Sequence, residues 1–157
     1  MTVCPVCKVE QQHILLEQDL PAFTCRTCEG VWICSTEYFS WLTTQEESIS
    51  VGQITIEHGE TAPLPVIDTK KALLCPDCRH ILRRFKIWPD FDFYLDRCGS
   101  CNGIWFDRNE WQVLKMNNLH HAVHIFFTDA WQEKLRDEEM RRQLDKMYQE
   151  TFGSTDY

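Results

Sequence analysis

Residues Cys98 to Trp111 read "CGSCNGIWFDRNEW", and residues Cys25 to Tyr38 read "CRTCEGVWICSTEY". Each is preceded by another C-x-x-C pair. The first unit is Cys4-x2-Cys7-x17-Cys25-x2-Cys28 followed by Glu29-Gly30-Val31-Trp32. The second is Cys75-x2-Cys78-x19-Cys98-x2-Cys101 followed by Asn102-Gly103-Ile104-Trp105. Both continue to a glutamate (Glu37, Glu110), an aromatic residue (Tyr38, Trp111) and then Leu42 or Leu114. Cysteine spacing alone can coincide, but the matching glycine, tryptophan and glutamate mark an internal repeat.

Four C-x-x-C pairs account for eight of nine cysteines, leaving Cys34. The start "MTVCPVC" has no charged beginning and no apolar run, so the reading places the chain without a signal peptide, in the cytoplasm. No stretch has the 18 apolar residues of a membrane span. In a reducing compartment paired cysteines are metal ligands rather than disulfides. Four thiolates in a tetrahedron are the usual structural zinc site, so two zinc ions per chain are expected. Iron in a four-thiolate site is the rival, but no second feature points to electron transfer. Loops of 17 and 19 residues make closure within each unit simpler than an interleaved pairing of Cys4/Cys7 with Cys75/Cys78. The expected ligands are therefore Cys4, Cys7, Cys25 and Cys28 for one ion and Cys75, Cys78, Cys98 and Cys101 for the other. Cores this small depend on metal for much of their folding energy.

In "FDFYLDRC", Phe91, Phe93 and Leu95 alternate with Asp92, Tyr94 and Asp96, the period of a half-buried strand. "ILRRFKI" reads as its partner strand, with Pro89-Asp90 at the turn, which puts both cysteine pairs at the open end of a hairpin. Asp107-x-x-Glu110 has the form of a capping box, with Asp107 as N-cap of a helix starting near Arg108. In the first unit Cys34 replaces that aspartate, which predicts a helix started less well and capped by Ser35. Gly30 and Gly103 are read as allowing a tight turn after the second knuckle. The fold class expected is small, metal-stabilised α+β, with two zinc ribbons, each a β-hairpin plus short helix, and a C-terminal helical tail. The divisions are ribbon one at 1–42, linker at 43–74, ribbon two at 75–118 and tail at 119–157. In the linker Pro63 and Pro65 exclude a helix, and "SISVGQITIEHG" suits a short strand or edge.

The pattern "CPxC…CxxCxGxWxDxxE" resembles the bacterial TFIIB-type zinc-ribbon family. Unit two carries it at Cys75, Pro76, Cys78, Cys98, Cys101, Gly103, Trp105, Asp107 and Glu110. Unit one carries it at Cys4, Pro5, Cys7, Cys25, Cys28, Gly30, Trp32 and Glu37, and departs at Cys34. The resemblance implies a zinc-binding fold and no settled activity; the link of its name to transcription is analogy from fold.

The formal charge is −8, and eight thiolates on two dications make it about −12. That opposes general binding of nucleic acid. Residues 1–74 hold 4 basic and 10 acidic side chains and residues 75–157 hold 12 and 14, so any anion contact belongs to the second part. There Arg79, Arg83, Arg84 and Lys86 cluster, with Phe85 and Trp88 nearby, as a candidate phosphate-and-stacking surface. The preferred reading is a solvated strand edge, neutralised by Asp90, Asp92 and Asp96. All ligands come from protein and no hydrolase or nucleotide motif appears, so no enzyme is expected. His120 and His124 lie at i, i+4, but with no third ligand they are read as a packed helix face.

The tail from Leu119 to Gly153 has no proline and is expected to form one or two amphipathic helices ending near Gly153. Trp131, Leu135, Leu144, Met147, Tyr148 and Phe152 are its candidate partner surface. Packing of Trp131, Phe126 and Phe127 onto the ribbons is the default, and residues 135–152 are the part expected to meet a partner or a second copy. The function expected is a non-enzymatic adaptor working by protein–protein contact, without membrane attachment. The alternative is a transcription-associated or nucleic-acid-binding accessory factor using residues 79–86.

Overall fold

The computed structural model describes residues 2–45, 71–91 and 93–152. Each unit runs strand, strand, strand, helix. Unit one has β1 (Gln12–Glu17), β2 (Leu20–Thr24), β3 (Val31–Ile33) and α1 (Ser35–Thr43). Unit two has β4 (Leu82–Lys86), β5 (Tyr94–Cys98), β6 (Ile104–Phe106) and α2 (Glu110–Met116). The tail adds a 3-10 turn (His120–Ala122), α3 (Val123–Phe126) and α4 (Asp129–Phe152). The expected linker strand falls on residues outside those described.

The α+β class and an antiparallel hairpin of β4 and β5 stand as expected, with a turn at Pro89-Asp90, but β5 begins at Tyr94, so Phe91 and Phe93 precede the strand that their alternation announced. What hairpin-plus-helix lacked was the third strand. β3 and β6 pair antiparallel with Trp32 opposite Trp105, so both ribbons share one six-stranded sheet in the order β1-β2-β3-β6-β5-β4.

Alternation along these strands separates two cores. Val31, Ile33, Leu95, Ile104 and Phe106 join the helical residues Tyr38, Trp41, Trp111, Leu114, Val123, Phe126 and Trp131. Trp32, Trp105 and Leu82 point the other way, into a second cluster with the cysteines. Further contacts tie unit one to the rest. Glu17 on β1 accepts the Trp111 indole N–H at 3.0 Å and pairs with Lys115 at 2.8 Å. The Tyr38 hydroxyl donates to the His120 carbonyl at 2.9 Å and accepts the Val123 N–H at 3.1 Å, both buried.

The helix starts differ from expectation. α2 begins at Glu110, after a turn whose Asn109 has φ 69°. Glu110 supplies the return half of the capping box, its Oε1 accepting the Asp107 backbone N–H at 2.7 Å. The Asp107 carboxylate also accepts the Trp105 indole N–H at 2.9 Å, and the residue directly before the helix is Asn109, two positions later than the N-cap expected at Asp107. In unit one Cys34 occupies the N-cap place with extended backbone, and Ser35 is the first helical residue, not the cap. The helix forms regardless because Tyr38 and Trp41 are buried, and tertiary packing outweighs a missing cap.

In the tail, the Trp131 indole N–H donates to the Ile87 carbonyl at 2.8 Å and its ring stacks on Trp88, while Leu135 is buried beside it. Gln132 donates to the carbonyls of Lys86 and Phe126. Trp131 and Leu135 are thus core residues, which removes them from the candidate partner surface. Farther along α4, Arg142 pairs with Asp90 at 2.8 Å, and Met140, Leu144, Met147 and Tyr148 are each about 60% exposed. Phe152 is the last residue of the helix.

Candidate metal centres and the junction between them

All four C-x-x-C turns share one backbone design. The residue after the second cysteine is left-handed: Lys8 (φ 62°), Glu29 (61°), Arg79 (67°) and Asn102 (64°). Its N–H returns to the carbonyl of the first cysteine at 2.9–3.0 Å in each turn. That geometry aims further N–H groups at sulfur. Cys7 donates to Cys4 at 3.3 Å, Thr27 to Cys25 at 3.4 Å, Asp77 and Cys78 to Cys75 at 3.3 and 3.4 Å, and Ser100 and Cys101 to Cys98 at 3.4 Å. Such donors stabilise thiolate over thiol.

The sulfurs converge in the two local sets expected, with all four ligand atoms of each set within 4.8 Å of one another. Cys4 and Cys28 stand 3.6 Å apart, Cys75 and Cys101 3.6 Å, and Cys78 and Cys98 3.2 Å. A tetrahedron with Zn–S of about 2.3 Å has edges of roughly 3.8 Å, so both sets fit zinc. When bound there, zinc supplies a four-way crosslink with every position taken by protein. The His80 backbone N–H, followed by its ring, holds the Cys78 thiol down to about 6. Burial pushes Cys4, Cys28, Cys75 and Cys101 up, so these thiols must surrender protons to the ion.

Between the centres, the two ribbons exchange tryptophans. A Cβ placed on Gly30 would overlap Cζ2 and Cη2 of Trp105, and one on Gly103 would overlap the same atoms of Trp32. Neither glycine has a positive φ. The turn is made by Glu29 and Asn102, and the glycines instead leave room for the other ribbon's ring, which corrects the sequence reading. The Trp32 indole N–H donates to Asp77 at 3.0 Å, inside the knuckle of the second centre, and the Cys34 thiol lies 3.4 Å from the same oxygen. Burial and then the Asp77 charge push the Cys34 thiol up to about 12, which makes it a protonated donor to Asp77 rather than a reactive thiolate.

The four cations of residues 79–86 do not converge. Arg79 sits in a knuckle; Arg84 is opposite Asp96 with its guanidinium over Tyr94; Lys86 lies on the same strand face as Arg84. Only Arg83 faces the other way, and its cross-strand neighbour is Arg97, a residue that sequence reasoning missed. Burial, then the Arg83 charge, lowers the Arg97 guanidinium. Asp90 is engaged by Arg142, and Asp92 is outside the described residues. Trp88 is buried and unavailable for stacking.

The histidines are packed. His120 is buried against Trp41 and Trp111; His121 stacks on Trp41 and meets Gln45; His124 lies against Tyr38 and Phe39. Among the described residues, the metal-ligating clusters are the two cysteine sets.

A family model described as "Transcription factor zinc-finger", the TFIIB-type zinc ribbon, matches residues 3–44 and again 74–116, together more than half of the chain. No curated protein and no solved structure matches the chain. The chain therefore belongs to the TFIIB-type zinc-ribbon family, and it carries that ribbon twice, fused through a single sheet.

Proposed function

We propose that this protein is a non-enzymatic, zinc-stabilised adaptor of the cytoplasm that holds a protein partner, or a second copy of itself, on the distal half of α4. One observation carries the reading: Met140, Leu144, Met147 and Tyr148 follow the i, i+4, i+7, i+8 rhythm of one helix stripe and are exposed. The first two turns of α4 are anchored by Trp131 and Leu135, so the stripe is presented on a fixed mount. Apolar helix faces of this kind are read by hydrophobic grooves or by other helices. Closed four-cysteine sites suit a scaffold role, since they leave no coordination position for substrate.

The test substitutes Leu144→Asp and Met147→Asp in the full chain. Light scattering reports self-association, and co-purification from the native cell reports a partner. Loss of either, with two zinc ions retained, is expected. An unchanged solution mass together with unchanged co-purification rejects the reading. The alternative, nucleic-acid binding by residues 79–86, has less support, because Arg83 faces away from Arg84 and Lys86 and Arg79 sits in a knuckle. No helix among the described residues is long and apolar enough to cross a membrane.

A further inference from the structure

Ribbon one is an internal control for ribbon two. Gln12 opposite Thr24 occupies the register of Arg83 opposite Arg97, and the Val3–Glu10 bridge occupies that of Leu74–Ile81. The ribbon fold is thus built without either arginine, and with Glu10 where ribbon two has the exposed Ile81.

Like charges directly opposite each other weaken a sheet, so this pair opposes the stability of β4–β5. No ion pair relieves it: among the described residues, neither Arg83 nor Arg97 meets a carboxylate. Each guanidinium instead lies over a phenylalanine, Arg83 above Phe85 and Arg97 above Phe127, both at 5.3 Å. Those two rings meet edge to face at 5.0 Å. The rings hold the guanidinium planes while leaving their N–H edges for an acceptor. Phe127 comes from the tail, which only ribbon two carries.

The occupant follows from charge and size. A chain of net charge −8 repels a polyanion, and the face offers two cations rather than a track of them. Ile81, 64% exposed on the same strand face as Arg83, supplies an apolar neighbour. We propose that the Arg83–Arg97 face docks an acidic segment of a partner protein, one carboxylate seated between the guanidinium groups and the next apolar side chain against Ile81. This surface is separate from the α4 stripe and does not depend on it.

The probe is a fluorescein-labelled, C-terminally amidated Gly–Ser peptide that carries one Glu–Leu pair (the Glu–Leu peptide). A Gln–Leu peptide and a deoxythymidine oligonucleotide of equal length are the comparators, against the zinc-loaded full chain. Binding of the Glu–Leu peptide is expected, with the Gln–Leu peptide at least tenfold weaker. Arg83→Gln with Arg97→Thr, the residues ribbon one uses in this register, is expected to weaken binding at least tenfold with zinc content unchanged. Should that variant lose zinc, the single exposed substitution Arg83→Gln is read in its place and is expected to weaken binding likewise, while Arg83→Lys retains most of it. Leu144→Asp leaves binding unaltered, which separates this site from the α4 reading. No binding by the Glu–Leu peptide, equal binding by the Gln–Leu peptide, binding indifferent to the arginine substitutions, or tighter binding of the oligonucleotide lost in the same variants each overturns the proposal.

Discussion

The indole N–H of Trp32 and the carboxylate of Asp77, 3.0 Å apart, belong to different ribbons. In the second ribbon the equivalent indole, Trp105, is served from its own chain segment by Asp107. Cys34 holds the place that Asp107 holds, and Val6 holds the place that Asp77 holds. Each tryptophan thus has one carboxylate, reached by two different routes.

This arrangement predicts a non-additive mutant cycle. Asp77→Val leaves the Trp32 N–H and the Cys34 thiol without their acceptor, at a cost of about 1–3 kcal/mol. Cys34→Asp alone crowds two carboxylates and also destabilises. The double variant recovers most of the loss, because it copies the second ribbon's route into the first. Urea unfolding of the zinc-loaded proteins reads the cycle, and simple additivity of the two losses refutes the assignment.

At the glycines, Gly30→Ala and Gly103→Ala each force a methyl group into an indole ring, with a cost on the order of 1–3 kcal/mol or more from overpacking. Gly99→Ala is the control, since its nearest neighbour, Arg83 Cδ, stands 4.0 Å away. Thermal midpoints should fall for the first two and hardly move for the third. Equal effects at all three would mean that backbone freedom, not room for a ring, selects the glycines.

Zinc binding should release protons. Burial raises Cys4, Cys28, Cys75 and Cys101, and these must ionise to bind, so affinity strengthens as pH rises and fails as it falls. Metal counting on dialysed samples should give two ions at pH 7.5, falling cooperatively toward acid. Because β3 and β6 join the ribbons, Cys28→Ser should lower the unfolding temperature of the whole chain in one transition. Two separated transitions, the second at the original temperature, would show independent ribbons.

His120 gives a second pH effect with its own sign. Burial lowers its folded value to about 4, against an ordinary 6.5, so the unfolded chain binds the extra proton between those values. The resulting stability is fully present above pH 6.5 and is lost as pH falls toward 4. His120→Phe keeps the ring contacts with Trp41 and Trp111 and removes the titration. Its unfolding midpoint should therefore fall less than the parent's between pH 6.5 and 5; parallel curves would exclude His120 as a contributor.

How much of this was legible depended on how local the signal was. The cysteine sets follow from spacing because each loop closes on itself. The alternation of Phe91, Phe93 and Leu95 announced a strand there, but β5 starts only at Tyr94 and keeps Leu95 alone of the three, while Phe91 and Phe93 pack into the core ahead of it. β3 and β6 are three residues each, buried on both faces, and no period can be seen in Val31-Trp32-Ile33. The glycines were misread because a sequence shows a missing side chain but not the ring that takes its place. Asp107 matched a local capping motif, but the helix starts only at Glu110, after a left-handed Asn109 that the motif does not announce. Arg97 was hidden in the acidic-looking run "FDFYLDR", and only the register of β4 against β5 brings it to Arg83.

The exchange of rings at Gly30 and Gly103 also decides who can pair with whom. A lone ribbon would leave its tryptophan bare and a hollow beside it, so the half-molecule is an incomplete object. Two copies of ribbon one would leave Trp32 facing Val6 with no carboxylate in reach. Two copies of ribbon two would bring Asp77 up to an indole that Asp107 already serves. The unlike halves suit each other better than either suits itself, which steers the two ends of one chain together and away from a neighbouring chain's matching half during folding.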